Sequence, residues 1–283
     1  MSSHYKHPQS ITRNSPRPKK SLGQHFLVDK RVLSKIITAA DLSEQDSVVE
    51  VGAGKGLLTS ELAGRVGKVI AVEIDNILIP LLKSKYSQMD NVDVIHEDAR
   101  NIDINQIIPV NQPYKLVANL PYYAALPIIR KFLESNHPPE LIVVMVQLEV
   151  AERMTATVGK MSLVSVSIQL RGIPKIITTI SPRSFKPQPK VSSAVIRIDV
   201  RPKPLLELKS ESEFFKVVRA GFSSPRKQIR NTLKQGLSLN GSETDLLLRE
   251  SGIDPTLRPQ YLSMQDWGKL YSSFQNTIGR IQI

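Results

Sequence analysis

The sequence predicts an α/β fold: a mostly parallel sheet with helices on both faces, followed by a small all-helical C-terminal domain. Two observations carry this expectation. From Ser47 to about residue 156, short β-branched apolar runs alternate with helical segments, the pattern of strands joined by crossover helices. From about residue 204 the strand signal stops and four short amphipathic stretches remain. A length of 283 residues with 41% apolar content leaves room for one large core and a smaller one.

Residues 1–18, rich in Ser, Pro and charge, read as a flexible basic arm. A helix is expected from Asp29, where "DKRVLSKIITAADL" opens on a capping residue and sets Val32, Ile36, Ile37 and Ala40 at helical spacing. "SVVEV" is the first strand of the alternating region, "GAGKG" a Gly-rich turn and "LLTSELAGR" a helix. "KVIAVEI", "VDVIHED", "YKLVAN" and "PELIVVMVQ" are further strands, and "NILIPLLKSKY", "AALPIIRKFLES" and "LEVAERMTA" the helices among them. "KIITTIS" and "SSAVIRIDV", linked by the Pro-rich "PRSFKPQPKV", suit a hairpin-like finish with an antiparallel member. "ESEFFKVVRAGF", "PRKQIRNTLKQG", "ETDLLLRESG" and "MQDWGKLYSSFQ" read as helices. The expected organisation is therefore an arm at 1–18, a sheet domain at 19–203 and a helical domain at 204–283, with "RPKP" as the hinge.

The chain has no cysteine, which excludes disulfides and thiolate metal sites. The first thirty residues lack the apolar stretch of a signal peptide, and the run "LIVVMV" is too short to cross a bilayer. A cytoplasmic protein without membrane contact is expected. The net charge of +12 favours a polyanionic partner, since neutralising phosphates releases condensed counterions, although a solvated basic surface is the plainer alternative.

Chemistry first enters at "VVEVGAGKGLLT". Gly52, Gly54 and Gly56 permit a tight turn and close approach by a ligand, though a Gly-rich loop is often only a turn. The spacing departs from Gly-x-Gly-x-x-Gly, which weakens a pyrophosphate reading. Glu50 would repel phosphate and suits a cofactor with a cationic group. Glu73 ends the next strand, where a carboxylate can accept from ribose hydroxyls. Asp98 and Ala99 follow the third, where a carboxylate can accept from an exocyclic amine and a backbone N–H can donate to a ring nitrogen. Each acid alone could be a solvated loop residue; their joint placement at carboxyl ends of strands favours a ligand. The combination resembles the class I S-adenosylmethionine-dependent methyltransferases. That resemblance implies a Rossmann-like sheet, S-adenosylmethionine as methyl donor and S-adenosylhomocysteine as product, with no metal.

"ANLPYY" then brings Asn119, Leu120, Pro121 and Tyr122 to the same rim. The nitrogen of an aromatic amine is a poor nucleophile because its lone pair enters the ring. Two acceptors on its hydrogens, the Asn119 carboxamide oxygen and a backbone carbonyl held by Pro121, would free the lone pair. Tyr122 could stack on the ring, the usual grip on an unstacked base. Such catalysis rests on positioning and fixed dipoles. The plain alternative is a Pro-terminated strand with a packing Tyr.

"NLPY" is similar to the Asn/Asp-Pro-Pro-Tyr signature of amino-methylating enzymes, with Leu at its second position. With "KKSLGQHFLVD", "EVGAGKGLLT", "AVEID", "EDA", "FKPQPKVSSAVI" and "FSSPRKQIRNTL", the chain resembles the ribosomal RNA adenine N6-dimethyltransferase family over nearly everything after the arm. The resemblance implies dimethylation of two adjacent adenines near the 3′ end of small-subunit ribosomal RNA, in a partly assembled subunit, by a monomer. It implies that "GQHFL" closes over the cofactor through His25 and Leu27; the family often has Asn at the His25 position, so the contact differs in kind. On the sequence alone, His25 could equally be a surface or capping residue. Phe185 would offer a second aromatic face to the base, or else be a core residue beside a Pro-rich turn. Arg226, Lys227 and Arg230, expected on about one helical turn, join Lys19, Lys20, Arg183, Lys186 and Lys190 as a phosphate-tracking surface, though any one could be solvated charge. Rival functions are a large-subunit adenine methyltransferase conferring antibiotic resistance, a non-enzymatic nucleic-acid-binding assembly or transcription factor, and a DNA adenine methyltransferase.

Overall fold

The structure is a computed structural model that describes residues 24–281, and side chains of residues 24–276. The arm at 1–18, Lys19 and Lys20 lie outside the described residues. Strands β2 (Ser47–Val51), β3 (Lys68–Glu73), β4 (Val92–His96), β5 (Lys115–Asn119) and β6 (Leu141–Gln147) form the parallel part of a seven-stranded sheet. Its order is β4-β3-β2-β5-β6, then β9 (Ser193–Val200) and β7 (Gly172–Ile180). β9 runs antiparallel to both neighbours, so the chain's last strand lies between two earlier ones. The chain moves outward from β2 to β4 and then returns beside β2 as β5. That reversal makes the carboxyl ends of β2 and β5 a topological switch point, where open α/β sheets bind ligands.

Alternate side chains of each strand go to opposite faces. Val49, Ile70, Leu116 and Ile142 join one core with α4 (Ala125–Leu133) and α5 (Leu148–Met154). Val48, Val69, Val117 and Val143 join the other with α1 (Lys30–Ala40), α2 (Leu57–Ala63) and α3 (Leu78–Lys85). Asp29 caps α1 by accepting from Arg31 N at 3.0 Å. This agrees with the helix start read from the sequence.

A further core belongs to α7 (Glu211–Gly221), α8 (Ile229–Gly236), α9 (Gly241–Ser251) and α10 (Met264–Ile281), packed around fully buried Trp267. It also takes Met161, Val166 and Leu170 from around α6 (Leu163–Gln169), which precedes the "RPKP" segment in the chain. The Arg171–Glu211 ion pair spans the same junction. The pattern gives no sign of α6, because its two Val and two Ser are poor helix formers; a capping box between Ser162 and Ser165 starts it. The helix expected from residue 225 begins only at Ile229. Pro225 disfavours helical geometry at Ser224, and Lys227 N closes a turn on Ser224 O at 2.9 Å. Arg226 and Lys227 therefore lie in a turn, while Arg230 is in α8. A two-residue antiparallel pair, β1 (Phe26–Leu27) with β8 (Phe185–Lys186), was also beyond the sequence pattern; it lays the segment before α1 beside the site.

Candidate functional site

The Gly-rich loop leaves β2 at the switch point. Gly52 has φ +75°, and a Cβ there would lie 3.4 Å from the Asn119 backbone oxygen. Gly56 has φ +73°, and a Cβ there would come within 2.5 Å of Tyr86 Oη. Both positions therefore disfavour a side chain, and the first loop packs directly against the end of β5.

Glu50 is almost completely buried beneath this loop. Its Oε2 has no hydrogen-bond partner, and neither has nearby Thr59 Oγ1. Burial pushes the Glu50 carboxyl up to about 8, and the charge of Glu73 adds to the rise; Thr59 and Lys85 pull the other way. Thr59 thus lies near enough to favour the ionised form without completing a bond. Glu73 Oε2 accepts from Gly54 N at 2.7 Å, and its Oε1 accepts from Ile74 N and Asp75 N, each at 2.9 Å. These three donors occupy most of a carboxylate's roughly four acceptor positions, leaving room for about one more. Glu73 therefore also holds the loop in shape, beyond the ribose contact expected of it.

Asp98 stands differently from expectation. Its carboxylate accepts from Arg100 Nη2 at 2.6 Å, Nε at 3.0 Å and backbone N at 2.9 Å. The Arg100 guanidinium holds the Asp98 carboxyl below the usual carboxylate range. Neither Asp98 nor Ala99 lines the two cavities described below, and Ala99 is buried in the core. The acid two residues before an Arg was visible in "EDAR" and could have signalled the pair.

"NLPYY" follows β5 as a turn closed by Ala124 N on Pro121 O at 3.0 Å. Asn119 Nδ2 donates to His25 O at 3.4 Å, so Oδ1 is the uncommitted acceptor among the described residues. Leu120 is buried in the core. Tyr122 is half-buried, its hydroxyl 2.7 Å from Ser193 Oγ and its ring stacked on His25 with centroids 5.6 Å apart. His25 Nδ1 lies 2.8 Å from Pro187 O. Phe185 is only 1% exposed and packs in the core opposite Leu27. It reaches a cavity wall but presents no open ring face, so the core reading describes it better than the stacking one.

Two cavities meet here. The larger, about 980 Å³, is lined by Glu50, Gly52, Gly54, Leu27 and Asn119, with Lys30, Lys55, Lys85 and Lys186 around it. The smaller, about 80 Å³, is lined by Glu73, Leu120, Pro121, Tyr122, Tyr123 and Phe185. His25, Gly52, Gly54 and Asn119 line both, so the two form one continuous site. The sequence reading missed Gln24, whose Nε2 donates to buried Asp75 at 2.9 Å, and Phe26, which packs on Gly54 and under Lys55. It also missed Thr59, Lys85 and Ser193. Arg183, Lys186, Lys190, Arg226 and Lys227 are at least partly exposed, as a phosphate-tracking surface requires. Arg230 is not free for that role: Asp245 accepts from its Nε at 2.5 Å and its Nη2 at 2.9 Å. No group of three potential metal ligands occurs among the described residues, and no helix there is long and apolar enough to cross a membrane.

A glycine loop at the switch point, facing an Asn-Leu-Pro-Tyr turn across one continuous cavity, defines a Rossmann-like methyltransferase. Comparison with known proteins sharpens this. The model of the family "Ribosomal RNA adenine dimethylase" matches residues 16–276, and the chain belongs to that family. It is 44% identical over 254 residues to a "Ribosomal RNA small subunit methyltransferase A" of Dehalococcoides mccartyi, covering 90% of this chain and 87% of that protein. A protein of the same description from Clostridium botulinum is 40% identical over 253 residues, 89% of this chain and 92% of the relative. Among solved structures, a dimethyladenosine transferase from Plasmodium falciparum aligns with a TM-score of 0.76 at 26% identity, over 89% of this chain and 98% of the other. The 23S rRNA methyltransferase ErmE aligns with a TM-score of 0.70 at 28% identity, over 88% and 99%.

Proposed function

We propose that the chain dimethylates N6 of two adjacent adenines near the 3′ end of small-subunit ribosomal RNA, using S-adenosylmethionine, in a partly assembled subunit. On this reading it acts in the cytoplasm as a monomer. Relatives described as small-subunit enzymes share 40–45% identity across most of the chain, against 28% for the large-subunit enzyme, which favours the small-subunit substrate.

The site's residues fit the donor. Glu50 Oε2 is a buried acceptor without a partner on the larger cavity, suited to the ammonium of a methionyl group. Gly52 and Gly54 let backbone approach closely, and Glu73 retains an acceptor position for a ribose hydroxyl. When bound, the donor supplies an electrophilic methyl on a sulfonium. The chain's own groups act on the amine. In the first transfer Asn119 Oδ1 accepts one N6 hydrogen and the Leu120 carbonyl, held by Pro121, accepts the other; in the second transfer one of these acceptors takes the single hydrogen that remains. The nitrogen lone pair then leaves conjugation and can attack. Tyr122 stacks on the adenine and sets its plane. No side chain needs to act as a base before transfer; the surplus proton leaves N6 for water afterwards. Lys19, Lys20, Arg183, Lys186, Lys190, Arg226 and Lys227 track the RNA backbone.

The observation that carries the proposal is the Asn119 carboxamide, with Nδ2 committed to His25 O and Oδ1 left to accept. The test is labelled-methyl incorporation into unmethylated immature small subunits, mature subunits and naked RNA, with the modified position read by primer extension. Asn119→Ala is expected to lower transfer on the order of 10²–10³-fold, as for other losses of a fixed catalytic dipole, while RNA binding stays within a few-fold. Labelling of large-subunit RNA or duplex DNA instead, or wild-type transfer by the variant, would overturn it.

A further inference from the structure

Tyr122 sits in a turn, and a turn alone would let its ring rock. Three contacts prevent this. The hydroxyl lies 2.7 Å from Ser193 Oγ, the His25 ring stacks on one face at an interplanar angle of 26°, and His25 is held by Pro187 O. Ser193 is fully buried at the start of β9, in register with Gln147 of β6 on one side and Ile180 of β7 on the other. Its hydroxyl is therefore a fixed point provided by the interior of the sheet. It anchors the far tip of the ring, where a given tilt produces the largest displacement. A base stacked on the ring inherits that tilt, and reacting groups need placement within about 0.5 Å and 10–20°. The 5.6 Å spacing between the His25 and Tyr122 rings leaves no room for a base between them, so the base must use the opposite face.

We infer that Ser193 is a positioning residue for methyl transfer, acting through the Tyr122 hydroxyl to fix the plane of the stacked base, with His25 backing the other face of the ring. The inference rests on the function proposed above. Ser193 itself touches no substrate, being completely buried.

The experiment is a double-mutant cycle with Ser193→Ala, Tyr122→Phe and the pair, alongside NMR of ring-labelled tyrosines in the wild type and in Ser193→Ala. Loss of one hydrogen bond is expected to lower kcat about threefold to tenfold, with KM for the immature subunit nearly unchanged. Both single variants should show it, and the double variant should lose no more than either. A purely structural Ser193 would add its loss to that of Tyr122→Phe, and additive losses overturn the inference. In the NMR arm, Tyr122 ring signals should show faster averaging in Ser193→Ala; unchanged signals in a folded variant overturn the inference as well. If wild-type protein transfers no methyl to small-subunit RNA, the proposed function fails, while the NMR arm still decides whether Ser193 holds the ring.

Discussion

Replacing Glu50 by Gln probes the buried carboxyl directly. In the folded protein Glu50 titrates at about 8, against an ordinary value of 4.5, because burial disfavours its charge. A carboxyl raised on folding is neutral in the folded protein where it is already ionised in the unfolded chain, so ionisation costs stability as pH rises. Below pH 4.5 the penalty is absent; it grows between 4.5 and 8 and levels off above 8. At about 1.36 kcal/mol per pH unit, the penalty is about 2 kcal/mol at pH 6 and roughly 4–5 kcal/mol at pH 9. The amide of the Glu50→Gln variant cannot ionise, so the variant's stability relative to wild type should rise by roughly 2–3 kcal/mol between pH 6 and 9. For a protein of 283 residues that is roughly 3–5 °C in relative Tm. Thermal unfolding of both proteins at the two pH values measures it, and titrations elsewhere cancel in the difference. A pH-independent gap would show that Glu50 is solvated or already paired. The same geometry predicts that S-adenosylhomocysteine, whose homocysteinyl part keeps the donor's α-ammonium, releases protons on binding at pH 6–7. Calorimetry in buffers of different ionisation enthalpy would detect them, and the release should vanish with Glu50→Gln.

The loop and the basic surface can be tested in the same way. Gly52→Ala forces a side chain into left-handed backbone against Asn119 O and should cost about 1–2 kcal/mol with loss of methyl transfer; Gly64→Ala, at φ −82° with its nearest neighbour 3.9 Å away, should be neutral or stabilising by up to about 1 kcal/mol. Chemical denaturation compares them, and equal losses would refute the backbone argument. Arg226→Ala and Lys227→Ala should each reduce the salt dependence of RNA binding by about one counterion, whereas Arg230→Ala, whose guanidinium is already held by Asp245, should leave the slope unchanged. A filter-binding series across salt concentrations distinguishes the three.

What the sequence disclosed was local. Strands β2 to β6 are short apolar runs punctuated by turn residues, and each is legible from its own residues. The Gly-rich loop and "NLPYY" are likewise continuous motifs, so the sequence alone assigns Asn119 and Gly52 to one rim, where the structure packs them together. What stayed hidden was decided by residues far apart in the chain. The antiparallel insertion of β9 between β6 and β7 depends on pairing across the sheet. The capture of Arg230 by Asp245 joins two helices, and the burial of Phe185 requires Leu27 from the other end of the domain.

The residues that hold the site are drawn from that hidden group. Asn119 is read from a motif, but its amide orientation comes from His25 O, 94 positions earlier. Tyr122 is read from the same motif, but its ring is fixed by Ser193, 71 positions later. A motif can name a group that touches the base because that chemistry restricts the residue type at one position. The partner that orients it needs only a hydroxyl or a carbonyl at the correct point in space, and many sequences can supply one. This is why His25 can stand where the family often has Asn: the contact to Asn119 uses the backbone oxygen, which every residue carries. The imidazole adds a stack on Tyr122 that an Asn side chain, having no ring, could not provide in that form.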